Sequence, residues 1–146
     1  MFGIKKLLEG KLKALGIKVH KVENKNLMEA IVAGAVLVAY SDGDCSDDEL
    51  LKLHNIVESN ENLKHFGSEV GKTIDLYCKM YESGARLAKV KLLKELREVA
   101  ANEEQKIEAF VIAIEIADAD GNIDEAELAM LRTIGKEFGL NPDTYI

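Results

Sequence analysis

A chain of 146 residues, 47% hydrophobic and 31% charged, is long enough for one core and too short for two comfortable ones. A single proline, 5% aromatic residues and a dominance of Leu, Ala, Glu and Lys point to an all-α, single-domain, soluble helical bundle. The formal charge of −7 is uneven: residues 1–25 carry seven lysines against Glu9 and Glu23, which leaves 12 basic and 24 acidic residues for the rest, so the body should repel nucleic acid while the first segment suits an anionic surface.

Residues 1–22 form a basic amphipathic arm ahead of a body spanning 23–146. Ile4, Leu7, Leu8, Leu12 and Leu15 follow helical spacing with lysines between them, weakened by Gly10. Two fates are open to its apolar face: packing on the body, or meeting a partner or a membrane surface. No signal peptide is expected, because the start of the chain lacks a continuous apolar segment and a small-residue cleavage site. The longest apolar run, AIVAGAVLVAY at 30–40, is shorter than the roughly 18 residues a bilayer span needs. It reads as the buried part of a helix over 26–40.

Further helices follow in order. Leu50, Leu53, Ile56 and Val57 mark one ending near SNEN, and Phe66, Val70, Ile74, Tyr77 and Tyr81 mark the next. Leu87, Val90, Leu93 and Leu96 make the apolar face of another beyond Gly84. Ile107, Phe110, Val111 and Ile114 define a sixth, and Leu128, Leu131, Ile134 and Phe138 a seventh, stopped by Gly139 and Pro142. The expected total is seven helices.

An internal repeat joins two of these segments. A shift of 78 residues lays Asp42-Gly43 on Asp120-Gly121, Glu49 on Glu127, and Leu50, Leu53 and Ile56 on Leu128, Leu131 and Ile134. Two pseudo-symmetric halves of helix, acidic loop and helix are implied, a pairing that would bring the loops together.

The loops are SDGDCSDDEL at 41–50 and ADADGNIDEAEL at 117–128. Part of their acidity belongs to helix starts. Ser46 with Glu49, and Asp124 with Glu127, match the capping-box spacing, while Asp47, Asp48 and Glu125 suit the positive end of a helix dipole. Asp42, Asp44, Asp118 and Asp120 remain unexplained, with Asn122 beside them. Oxygen ligands two residues apart around a glycine turn can converge on a hard cation. A standard EF-hand is excluded, because Ile123 stands where its glycine and Ala129 where its final glutamate should be. The spacing therefore supports either a shorter, open cation site or an acidic capped surface for a partner.

Catalytic readings are weaker. The acids look exposed rather than separated by a cleft, and His20, His54 and His65 are scattered with no nucleophile pattern beside them. Cys45 and Cys78 lack a CxxC spacing or a His/Cys cluster, which fits a reducing cytosol and gives no sign of a disulfide or zinc site. The aspartates near Cys45 disfavour its thiolate. The expected protein is not an enzyme.

KNLMEAIVAGAVLVAYSDGDCSDDEL and ADADGNIDEAELAMLRTIGKEFGLNP, behind a lysine-rich leader, resemble the tellurite-resistance protein TerB family. The resemblance implies a TerB-like bundle, a cytoplasmic location reaching to the inner face of the membrane, and a role in tellurite resistance and stress response. It implies a divalent cation, Ca²⁺ or similar, as cofactor. As partners it implies other tellurite-resistance proteins, one of them membrane-integral. Asp42, Glu49, Asp120 and Glu127 are the acids that match the family's loops. Asp44, Asp118 and Asn122 join them on geometry as metal ligands. In the repeat alignment Asp44 faces Asn122 and Asp118 faces Tyr40, so unequal affinities are expected.

Overall fold

The computed structural model describes residues 25–61, 63–119 and 121–146. The expected arm at 1–22, His20 and Asp120 lie outside them. The described residues form six α-helices, two single 3-10 turns and no strand, so the chain is an all-helical bundle. The helices are α1 (Lys25–Ala39), α2 (Asp47–Glu58), α3 (Ser68–Ser83), α4 (Ala85–Arg97), α5 (Glu103–Ala117) and α6 (Glu125–Phe138).

α1 is the axis of the core. Twelve of its 15 residues are buried, because it is apolar nearly all round and packs against each of the other five helices. Its small residues set the close crossings: a Cβ on Gly34 would stand 3.6 Å from Leu96 of α4 and 3.7 Å from Ala113 of α5. α6 stops where expected. Gly139 adopts φ 67°, a left-handed conformation that glycine enters without a Cβ penalty, and Leu140 N–H turns back to the Gly135 carbonyl at 2.8 Å. Phe110 of α5 meets Phe138 of α6 and Tyr145 edge to face, with ring centres 6.3 and 5.8 Å away.

Two expectations are corrected. Phe66 lies in the 3-10 turn Lys64–Phe66, and Gly67, at φ 57°, separates that turn from α3. The buried stripe of α4 consists of Ala88, Leu92 and Leu96, spaced four apart so that each turn presents one side chain to the core. Leu93 is partly buried, but Leu87 and Val90 point outward, 63% and 65% exposed. A ranking by hydrophobicity favours Leu87 and Val90 over Ala88, whereas the face opposite the core is where their positions on the helix put them.

The repeat is visible in the backbone. A shift of 78 residues carries both ends of α1 onto those of α5 and the start of α2 onto that of α6. Each pair is joined by seven residues, 40–46 and 118–124. Arg97 of α4 ties the second pair to the intervening helices through a two-pronged contact with Glu137 of α6, at 2.8 and 3.1 Å.

Candidate functional site: an acidic cleft between two loops

Both loops leave their helices in the same way. Gly43 N–H donates to the Tyr40 carbonyl at 2.8 Å and Gly121 N–H to that of Asp118 at 2.9 Å, with φ 95° and 85° at the two glycines. Each chain then enters the next helix through a cap. Glu49 N–H donates to Ser46 Oγ at 3.2 Å, and the Ser46 hydroxyl donates to Glu49 Oε1 at 3.0 Å. In the second loop the box is reciprocal: Glu127 N–H donates to Asp124 Oδ1 at 2.7 Å, and Asp124 N–H to Glu127 Oε1 at 3.0 Å.

The capped ends meet at one cleft of about 160 Å³, where Asp42 and Glu49 from the first loop and Asp124 and Glu127 from the second line the wall. Leu53, Ile56 and Ile116 are among the apolar residues lining it, and Lys52 reaches it from α2. Of the ligands expected from sequence, Asp42, Glu49 and Glu127 are brought together here. Asp44, Asp118 and Asn122 are exposed and do not line it.

Local hydrogen bonds explain the first two departures. Asp44 N–H donates to Asp42 Oδ1 at 3.1 Å, so Asp42 closes an Asx turn, and Asp44 Oδ1 accepts from Cys45 N–H at 2.9 Å, which occupies Asp44 within the loop. Asp118 is the residue that ends α5, its N–H bonded back to Ile114. Two cleft residues escaped the sequence reading. Its capping role accounts for Asp124 in the sequence, and no motif singles out Lys52. The one available signal for Lys52 is its position one helical turn after Glu49.

A family profile described as tellurite resistance protein TerB matches residues 28–146. The chain belongs to the TerB family. Membership relates it to tellurite resistance, and the match takes in both helix-loop-helix units, save the first three residues of α1, and the α3–α4 hairpin between them. No curated protein and no solved structure matches it.

The donors of this TerB-family cleft fit a hard cation in chemistry, since its four acids offer only carboxylate oxygens. Among the described residues no three His, Cys, Asp or Glu side chains stand together as a ready-made cage. An ion would therefore have to draw the cleft carboxylates together.

Thiol chemistry is suppressed nearby. Burial first, then Glu49, Cys78, Asp44 and Asp42, push the Cys45 thiol up to about 12, and burial is the main cause of the rise of Cys78 to about 11. The neighbouring acids therefore act as expected on Cys45, but burial outweighs them. His54 is placed between carboxylates, Nε2 3.2 Å from Asp75 and Nδ1 3.6 Å from Glu58, and does not line the cleft. No helix among the described residues is long and apolar enough to cross a membrane.

Proposed function

We propose that the chain is a non-enzymatic tellurite-resistance and stress-response protein that takes a hard divalent cation, Ca²⁺ or similar, between its acidic loops. In this reading cation binding governs assembly with other tellurite-resistance proteins, one of them membrane-integral, at the cytoplasmic face of the membrane. The arm at 1–22 contributes to that docking. The lining of one cleft by Asp42 and Glu49 from one loop and Asp124 and Glu127 from the other carries the reading.

A divalent ion would draw the four carboxylates in from around the apolar floor and offset the repulsion that their approach entails. Asp42 and Asp124 would hold the ion from opposite loops. Glu49 and Glu127 serve as both caps and ligands, so ion binding is coupled to the starts of α2 and α6. Tellurite, an oxyanion, is repelled by the same surface; protection then arises through assembly rather than through capture in the cleft.

The test is titration of the metal-free, full-length protein with Ca²⁺, Mg²⁺ and Mn²⁺ while following the Gly43 and Gly121 amide resonances. Saturable shifts of both are expected with at least one of these ions, and unchanged signals with all three overturn the cation reading.

A second reading has its own observation. Ser46 and Asp124 already engage the glutamates, and Lys52 already reaches the cleft, so the acidic face could serve a basic partner without any ion. Asp42→Asn with Asp124→Asn then weakens partner binding equally with and without chelator. Under the cation reading, chelator abolishes the difference.

A further inference from the structure

We propose that the outer face of the α3–α4 hairpin docks on an anionic phospholipid surface through Leu76, Leu87 and Val90 set among lysines. This deepens the membrane-proximal reading above but needs neither the cation nor the arm at 1–22.

The charge distribution is the first observation. After residue 25 the chain has 12 basic and 24 acidic residues, yet the α3–α4 hairpin, residues 68–97, holds seven of those bases against four acids, Glu69, Asp75, Glu82 and Glu95. Two of these acids are engaged elsewhere. Asp75 lies 3.2 Å from His54 of α2, and Glu82 accepts the Tyr40 hydroxyl at 2.8 Å. Helical spacing puts Lys72, Leu76 and Lys79 on one stripe of α3, and Val90 with Lys94 on the side of α4 opposite Ala88, Leu92 and Leu96.

Exposed aliphatic surface is the second observation. Among the described residues five large apolar side chains stand well exposed, and Leu76, Leu87 and Val90 are three of them, at 56%, 63% and 65%. Met80 connects them across the hairpin: it shares a helical face with Leu76 and lines a groove of about 230 Å³ with Leu87 and Lys91. Aliphatic side chains flanked by lysines match a bilayer interface, where the apolar groups enter and the ammonium groups remain among the headgroups. Nucleic acid offers no apolar layer to receive them, and the hairpin's excess of positive charge selects an anionic partner.

The experiment is co-sedimentation of the full-length protein with phosphatidylcholine vesicles containing or lacking phosphatidylglycerol, run with chelator and, in a parallel series, with Ca²⁺. Binding to the anionic vesicles alone, weakened by salt, is expected. Lys91→Gln with Lys94→Gln should weaken it on the order of 30-fold, from the contribution of each basic residue at an anionic surface. Leu87→Ser with Val90→Ser should weaken it too, with helix content and Tm unchanged because both positions are exposed. The chain has no tryptophan, so Val90→Trp gives a single reporter whose emission should shift to the blue on the anionic vesicles.

Four results overturn the proposal: no vesicle binding; binding that appears only with Ca²⁺; binding lost when Lys5, Lys6, Lys11 and Lys13 are neutralised but unaffected by the hairpin variants; or vesicle-free self-association that uses Lys91 and Lys94 in place of lipid binding. Failure of the cation reading alone leaves these chelator-based measurements unchanged.

Discussion

Asp124 both caps α6 and places a carboxylate on the cleft wall, and substitution can separate the two. Asp124→Ala removes the oxygen that accepts Glu127 N–H at 2.7 Å and a cleft charge, whereas Asp124→Ser removes the charge and retains a capping oxygen. Losing the cap costs about 1 kcal/mol, and loosening the return bond from Asp124 N–H to Glu127 at 3.0 Å costs up to about 1 kcal/mol more. Asp124→Ala should therefore lose about 1–2 kcal/mol, or about 3–7 °C in Tm for a domain of this size. Asp124→Ser should stay within about 0.5 kcal/mol of the parent, yet need more Ca²⁺ to reach the same Gly121 shift. Urea unfolding followed by circular dichroism measures the first effect and the amide titration the second. An alanine variant as stable as the parent refutes the capping argument, and a serine variant with an unchanged Ca²⁺ titration refutes the part assigned to its charge.

Two glycines in the bundle should respond oppositely to alanine. Gly34→Ala adds a methyl at ordinary contact distance from Leu96 and Ala113 and should gain about 0.5–1 kcal/mol from reduced chain freedom; Gly135→Ala drives a Cβ into the Leu140 carbonyl oxygen and should lose about 1–3 kcal/mol. Equal urea midpoints for the two would contradict the placement of Leu140 against α6. Burial first, then Glu29 and Glu98, hold the Glu95 carboxyl above its ordinary 4.5. Its favourable contribution is full below pH 4.5 and disappears as pH rises through the raised folded value, so Glu95→Gln should stabilise the protein at neutral pH and lose that advantage below pH 4.5. A gain that persists unchanged in acid would point to a different cause.

Helix starts and stops were legible because their chemistry is local. Ser46, Asp124 and Gly139 act at the ends where their side chains, or the lack of one, predict. The repeat was legible because Asp-Gly and Glu fall at equal offsets in two apolar frames, and the structure returns the same offset in its helix ends. The direction in which α4 faces was not legible. Leu87 and Val90 have the composition of a core and the position of a surface, and only the tertiary arrangement decides between those signals. The cleft was half legible: spacing singled out Asp42 and the resemblance added Glu49 and Glu127, but the bond from Cys45 N–H holds Asp44 within its turn, and the capping role of Asp124 concealed its place on the wall.

The equal spacing of the two helix-loop-helix units has a consequence during synthesis. α1 leaves the ribosome first among the described helices, buried in the finished protein almost all round, but its partner α5 begins 64 residues after Ala39. At ordinary elongation rates that interval lasts roughly 3–13 s. For that time the most apolar segment of the nascent chain has no α5 to cover it, so the burden on chaperones falls early and is relieved only after translation has passed Ala117, the end of α5.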